Sequence, residues 1–206
     1  MLDAQPGAYT LEALADDLHG LLQGLGVQST HFVGLSMGGM IGQTCALKYP
    51  GMFKSLALCD TTSSYPADAA GVWAERIATV EAKGTEPIVE TTLARWFTEP
   101  FRKAHPEVVE KVAEMIRTTP APGFVGCSHG ISKIDLTARL KEIRCPVLVI
   151  VGEHDPGTPV SMAEEIHRAI PGSQLVIIAS AAHLSNLEQP DAFNQALDAF
   201  VDQASN

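Results

Sequence analysis

Apolar residues recur along this chain in two rhythms, one helical and one continuous, and the alternation between them predicts the fold. Leu11, Leu14, Leu18, Leu21, Leu22 and Leu25 fall at helical spacing, with Thr10 placed to cap the first turn and Gly26 to stop the last. A short, largely apolar run, Thr30 to Leu35, reads as a strand, and a helix is expected from Met37 to about Lys48, ended by Tyr49-Pro50-Gly51. Ser55 to Asp60 reads as a second strand. The rhythm resumes later with a strand over 146–152, a helix from about Val160 to Ile170 stopped by Pro171-Gly172, and a strand from Gln174 to Ile178. A last helix carries Phe193, Leu197, Phe200 and Val201. Continuous apolar runs alternating with helices imply strands buried on both faces, hence a parallel sheet with helices on both sides.

Between residues 63 and 133 the strand signal vanishes. Helical spacing takes over in Trp73, Ile77 and Val80, in Ile88, Leu93, Trp96 and Phe97, and in Val108, Val112, Met115 and Ile116. A helix over Leu136 to Ile143 is expected to lead back to the sheet. The division that follows is an α/β core of residues 1–62 and 134–206 with a helical cap insertion at 63–133. Helices inserted over the carboxyl end of a parallel sheet are placed to line a pocket and exclude water.

Composition narrows the function classes. With 206 residues, 46% hydrophobic and 18% charged, the chain can bury a core in one domain with an insertion. A formal net charge of −10 argues against nucleic acid or an anionic membrane as partner, since both would repel it. No run approaches the roughly 18 apolar residues of a spanning helix, and the amino terminus lacks the basic and apolar regions of a signal peptide, so a cytoplasmic protein is expected. Cys45, Cys59, Cys127 and Cys145 lie too far apart for a zinc site and form no disulfide pattern, and are read as small apolar residues. The histidines show no metal-binding spacing, and no dinucleotide or Walker glycine pattern is present, so neither metal nor cofactor is expected. Nothing in the pattern sets an oligomeric state.

The chemistry lies at strand ends. Gly34-Leu-Ser36-Met-Gly38 turns the first strand straight into a helix, a context that holds a serine hydroxyl exposed over the carboxyl edge of the sheet. Ser36 is therefore the candidate nucleophile, with Gly34 and Gly38 expected where strand and helix come too close for side chains. A base and an orienting acid are then required. Asp155 follows the third strand and His183 the fourth, in the order Ser, Asp, His described for α/β-hydrolases. Asp60, at the end of the second strand, and Glu153 compete with Asp155 for the acid role. His154 would point away if strand alternation continues.

Gly34-Leu-Ser-Met-Gly-Gly-Met-Ile-Gly-Gln43, Gly152-Glu-His-Asp155 and Ala182-His-Leu-Ser-Asn-Leu-Glu-Gln-Pro190 resemble the α/β-hydrolase fold family, and within it the 3-oxoadipate enol-lactonases. The likeness implies Ser36 as nucleophile, Asp155 as acid, His183 as base and the Met37 N–H as an oxyanion donor. It implies hydrolysis of a small-molecule lactone or ester through an acyl-enzyme. An enol-lactone of this kind carries a free carboxylate, for which Arg76, Arg95, Lys133 and Arg139 are the candidate cations. Arg95, Trp96 and Lys133 are expected at the substrate, Lys133 standing where the family carries an arginine. The sequence starts at the helix that in the family precedes the fifth strand, so a chain truncated at its amino terminus is expected, without the family's His-Gly oxyanion loop and with its serine strand an exposed apolar edge. Loss of an oxyanion donor costs roughly 10²- to 10³-fold in rate. C–C bond hydrolysis or perhydrolysis on the same triad, or a fragment that binds a partner through the open edge, are the alternatives.

Overall fold

The computed structural model describes residues 4–66 and 69–205; Met1 to Asp3, part of the amino terminus considered above, lie outside that range. Helix α1 (Leu11–Gly24) begins where Thr10 Oγ1 accepts the Ala13 N–H at 3.1 Å and ends at Gly26, whose φ of 71° reverses the chain. Strand β1 (Thr30–Leu35) runs into α2 (Met37–Lys48), and β2 (Phe53–Cys59) follows. This second strand starts two residues before the expected Ser55 and stops short of Asp60, whose φ of 45° takes it out of extended geometry. After the intervening helices come β3 (Val147–Gly152), then helix Val160–Ala169, β4 (Gln174–Ile178) and a terminal helix, Pro190–Ser205.

The four strands form one parallel sheet in the order β1-β2-β3-β4. Alternation along the central strands buries both faces. Leu56, Leu58, Val147, Val149 and Val151 pack toward Ala15, Cys45 and Ile166 of three helices, while Ala57, Cys59, Leu148 and Ile150 pack toward Phe193 and Phe200 of the terminal helix. Among the described residues the edge strand β1 pairs with β2 alone, and Val33 on it is 45% exposed.

Among the described residues five α-helices separate β2 from β3: α3 (Ala69–Lys83), α4 (Val89–Trp96), α5 (Glu99–Ala104), α6 (Pro106–Thr118) and α7 (Ala121–Ile131). They enclose an apolar cluster of their own, built on Val80, Leu93, Phe97, Val112 and Ile116. Met115, counted above in the apolar spacing, instead faces solvent at 68% exposure, because the inner stripe of α6 passes through Val112 and Ile116. The two crossings between this helical layer and the sheet are joined side by side, with Leu136 N–H donating to Ser63 O at 2.8 Å and Ser64 bridging Asp135. The return segment, expected as a helix over Leu136 to Ile143, is a 3₁₀ helix, Thr137–Glu142. The remaining helices are numbered α8 (Val160–Ala169), α9 (Ser185–Glu188) and α10 (Pro190–Ser205). Among the described residues no helix is long and apolar enough to cross a membrane.

Candidate active site

Ser36 sits between β1 and α2 with φ 53° and ψ −115°, a conformation costly for any residue but glycine. The surroundings hold it there. Its N–H donates to Cys59 O at 2.8 Å, and its own carbonyl accepts from Thr61 Oγ1 at 2.7 Å and from the Gly39 N–H at 3.0 Å. A Cβ on Gly34 would lie 2.4 Å from the Gly38 backbone, so strand and helix approach as closely as expected. Gly38 does not share that constraint, since nothing lies within 4 Å of a Cβ there; the second close approach belongs to Gly39, 2.7 Å from the Thr61 side chain. The expectation for Gly38 failed because the helix turns that position toward the cavity, which it lines.

His183 Nε2 lies 2.9 Å from Ser36 Oγ, and His183 Nδ1 lies 2.7 Å from Asp155 Oδ2. The Asp155 carboxylate only accepts, so Nδ1 carries the proton and Nε2 faces the serine hydroxyl as acceptor. Asp155 is itself fully engaged: Oδ1 accepts the Gly157 and Thr158 N–H groups at 2.7 and 3.1 Å, and Oδ2 accepts Thr158 Oγ1 at 2.7 Å. Burial works against its charge, but the bonds from His183 and Thr158 prevail and hold the carboxyl below the usual aspartate range. The three side chains thus form an unbroken line of contacts from the buried Asp155 carboxylate to the half-buried Ser36 hydroxyl.

Of the two competing carboxylates, neither touches His183. Asp60 is fully buried, with Oδ1 accepting the Gly152 N–H at 2.8 Å and Oδ2 accepting Ser185 Oγ at 2.6 Å, so it ties the end of β3 to the segment after His183. Burial raises it to about 7, against the opposing pull of the Ser185 and Gly152 hydrogen bonds. Glu153 is half-exposed and accepts the Ser180 N–H at 3.0 Å, closing the turn after β4. His154 turns its ring to solvent from a turn beyond the end of β3, so the strand alternation that would have oriented it does not reach this position.

A cavity of about 450 Å³ opens from Ser36 and His183 under the helical layer. Met37, the first residue of α2, lines it, and first-turn amides of a helix have no intrahelical acceptor. Trp96 stacks over His183 with ring centroids 6.1 Å apart. Arg76 and Arg95 also face this space. Arg76 Nη2 donates to Thr92 Oγ1 at 3.0 Å and its guanidinium lies over the Phe124 ring, yet its buried Nε has no partner among the described residues. Burial and the neighbouring Arg95 charge both work against its proton. The other two candidate cations are elsewhere: Lys133 is exposed and lines a separate groove beside Glu12 and Asp135, and Arg139 pairs with Glu142 at 3.1 Å on the surface. Lys133 misses the cavity because α7 ends at Ile131 and the chain has already turned back toward the sheet. Sequence patterning also passes over Tyr65, Phe124 and Thr158; only Thr158 left a local signal, the Asp-x-x-Thr spacing of a side chain capping its own turn.

The pattern of the alpha/beta hydrolase fold family matches residues 3–190. Among curated proteins, 3-oxoadipate enol-lactonase 2 of Acinetobacter baylyi is 35% identical over 195 residues, which is 95% of this chain and 72% of that protein. The enol-lactonase of Burkholderia xenovorans LB400 superposes with a TM-score of 0.93 at 30% identity, covering 97% of this chain and 76% of its own. A thermophilic esterase from Thermogutta terrifontis, crystallised with malate bound, also gives 0.93 at 35% identity, covering 99% and 76%. With a four-stranded parallel sheet sheathed in helices, a serine on the strand-to-helix turn and relatives at this identity, the chain belongs to the alpha/beta hydrolase fold family.

Proposed function

We propose that this protein is a serine hydrolase that opens a lactone or ester through an acyl-enzyme, with Ser36 as nucleophile, His183 as base and Asp155 as the acid that orients it. The observation that carries this reading is the continuous line of 2.9 and 2.7 Å contacts that ends at Ser36 in the wall of the cavity under the helical layer. Ser36 Oγ attacks the carbonyl carbon as His183 Nε2 takes its proton, and the Met37 N–H stabilises the oxyanion. His183 then returns the proton to the leaving oxygen. An enolate leaves readily because it relaxes to a ketone. Water, deprotonated by the same imidazole, releases the acid and restores the serine.

For the substrate, Arg95 and Arg76 supply positive charge inside an otherwise acidic protein, and Trp96 provides an apolar wall beside the base. This favours a lactone or ester bearing a carboxylate. The enol-lactonase relatives and the malate held by the esterase relative agree with that reading.

An activated nitrophenyl ester should give a stoichiometric burst of nitrophenolate and a Ser36-linked acyl group detectable by mass spectrometry. Activity that survives Ser36→Ala would overturn the mechanism. Enol-lactone, diketone and simple neutral ester assayed side by side decide the substrate, and a preference for the diketone would replace ester chemistry with C–C bond hydrolysis.

A further inference from the structure

Glu188 is a buried carboxylate that the mechanism above does not use, and among the described residues it is held by backbone and hydroxyl donors rather than by a cation. It lies at the end of α9, five residues beyond His183. Oε1 accepts the Ala182 N–H at 2.7 Å, on the residue just before the base. Both oxygens lie within 3.1 to 3.3 Å of the Thr98 N–H, and Oε2 accepts Thr98 Oγ1 at 2.5 Å. Thr98 belongs to the helical layer, where it caps α5. Two further contacts join the same segments: the Leu184 N–H donates to Trp96 O at 3.0 Å, and the Trp96 ring stacks over His183. The residues on either side of the imidazole are therefore held, one through Glu188 and one directly, by the stretch Trp96–Thr98 that also supplies a cavity wall.

We propose that Glu188 is a positioning residue that fastens the Trp96–Thr98 stretch to the base loop, so that the substrate-facing wall and the His183 imidazole keep one fixed geometry. The inference rests on the serine hydrolase reading above. Its physical basis is that a misplacement of about 1 Å at a reacting group costs on the order of 100-fold in rate. A polar brace of three donors on one buried carboxylate sets position more sharply than apolar packing of the same area.

The test measures single-turnover acylation with an activated ester, normalised to sites titrated by a fluorophosphonate, beside thermal unfolding of the same samples. Glu188→Ala should lower acylation per titrated site about ten- to a hundredfold, with KM moving far less than kcat. Glu188→Gln, which keeps the shape but turns an amide N–H toward a donor, should lie between it and the wild type. Thr98→Val should lose several-fold, and Thr98→Ser, which restores the hydroxyl, should recover the wild-type rate. Unchanged acylation per site in Glu188→Ala and Glu188→Gln, with only the melting temperature lowered, would overturn the proposal and leave Glu188 a stability residue. Ser36→Ala runs alongside: residual acylation there would instead sink the serine reading itself.

Discussion

The two walls of the cavity are built on opposite terms. On the sheet side every polar group at the relay has its partners: Asp155 accepts four donors, His183 bridges acid and serine, and Asp60 braces the loop ends behind them. On the helical side Arg76 keeps a buried Nε without a partner, and a second arginine stands next to it. A relay must be in place before the reaction, since reorganising dipoles during it would raise the barrier. A substrate-reading surface must instead leave its valences open for the ligand to fill. On the serine hydrolase reading proposed above, saturation on one wall serves the chemistry and open charge on the other serves recognition.

The comparison is broken most forcefully on the saturated side. Ser36→Ala and His183→Ala should each lower kcat by on the order of 10⁶-fold, and Asp155→Asn by on the order of 10⁴-fold, in steady-state assays of the purified chain. Losses that simply added in a double variant would mean that the three side chains do not act as a unit. Next comes the backbone that supports them. A methyl group on Gly152 would sit 2.1 Å from Ala182 O, so Gly152→Ala should cost about 3 kcal/mol or more in urea unfolding and displace the base loop.

On the open side, Arg95→Gln and Arg76→Met should reduce kcat/KM for a carboxylate-bearing ester about ten- to a hundredfold while leaving a neutral ester of the same size nearly unchanged. Equal losses on both substrates would erase the division between the walls. A smaller effect is expected at Asp60. The folded carboxyl keeps its proton up to about 7, whereas the unfolded chain releases it near 4, so its contribution to stability is whole below about 4 and lost as the pH rises through 7. Asp60→Asn should therefore gain on the wild type between pH 4.5 and pH 8 (roughly the window just described) in urea titrations; parallel profiles would show that the buried charge is not what the fold bears there. Lys133→Ala should change neither substrate's kinetics, because its side chain lies in a different groove.

Much of the sheet was legible because its signals are local. Thr10 and Gly26 bracket α1 through capping chemistry confined to a few residues, and β1, α2 and β4 fall where apolar runs and Pro-Gly stops put them. The helical layer was legible as helix but not as cavity. Trp73 and Trp96 look alike in spacing to Ile77 and Phe97, yet the first two line the cavity and the others are buried. Periodicity reports which side of a helix is apolar, and an apolar side serves a core and a pocket equally well.

Residue type and order alone specify an apolar parallel sheet that carries a serine on a strand-to-helix turn, with an aspartate and a histidine after later strands. Order along a parallel sheet brings strand ends to one edge. The tertiary structure shows which of Asp155 and Asp60 stands beside His183, since both follow strands and both are buried: Asp155 lies 2.7 Å from that imidazole, which is 28 residues further along the chain. It likewise decided that Arg76 and Arg95 face the serine while Lys133 does not, and that Glu188 joins helical layer to base loop. Such contacts depend on distances between segments far apart in sequence, which no local propensity encodes.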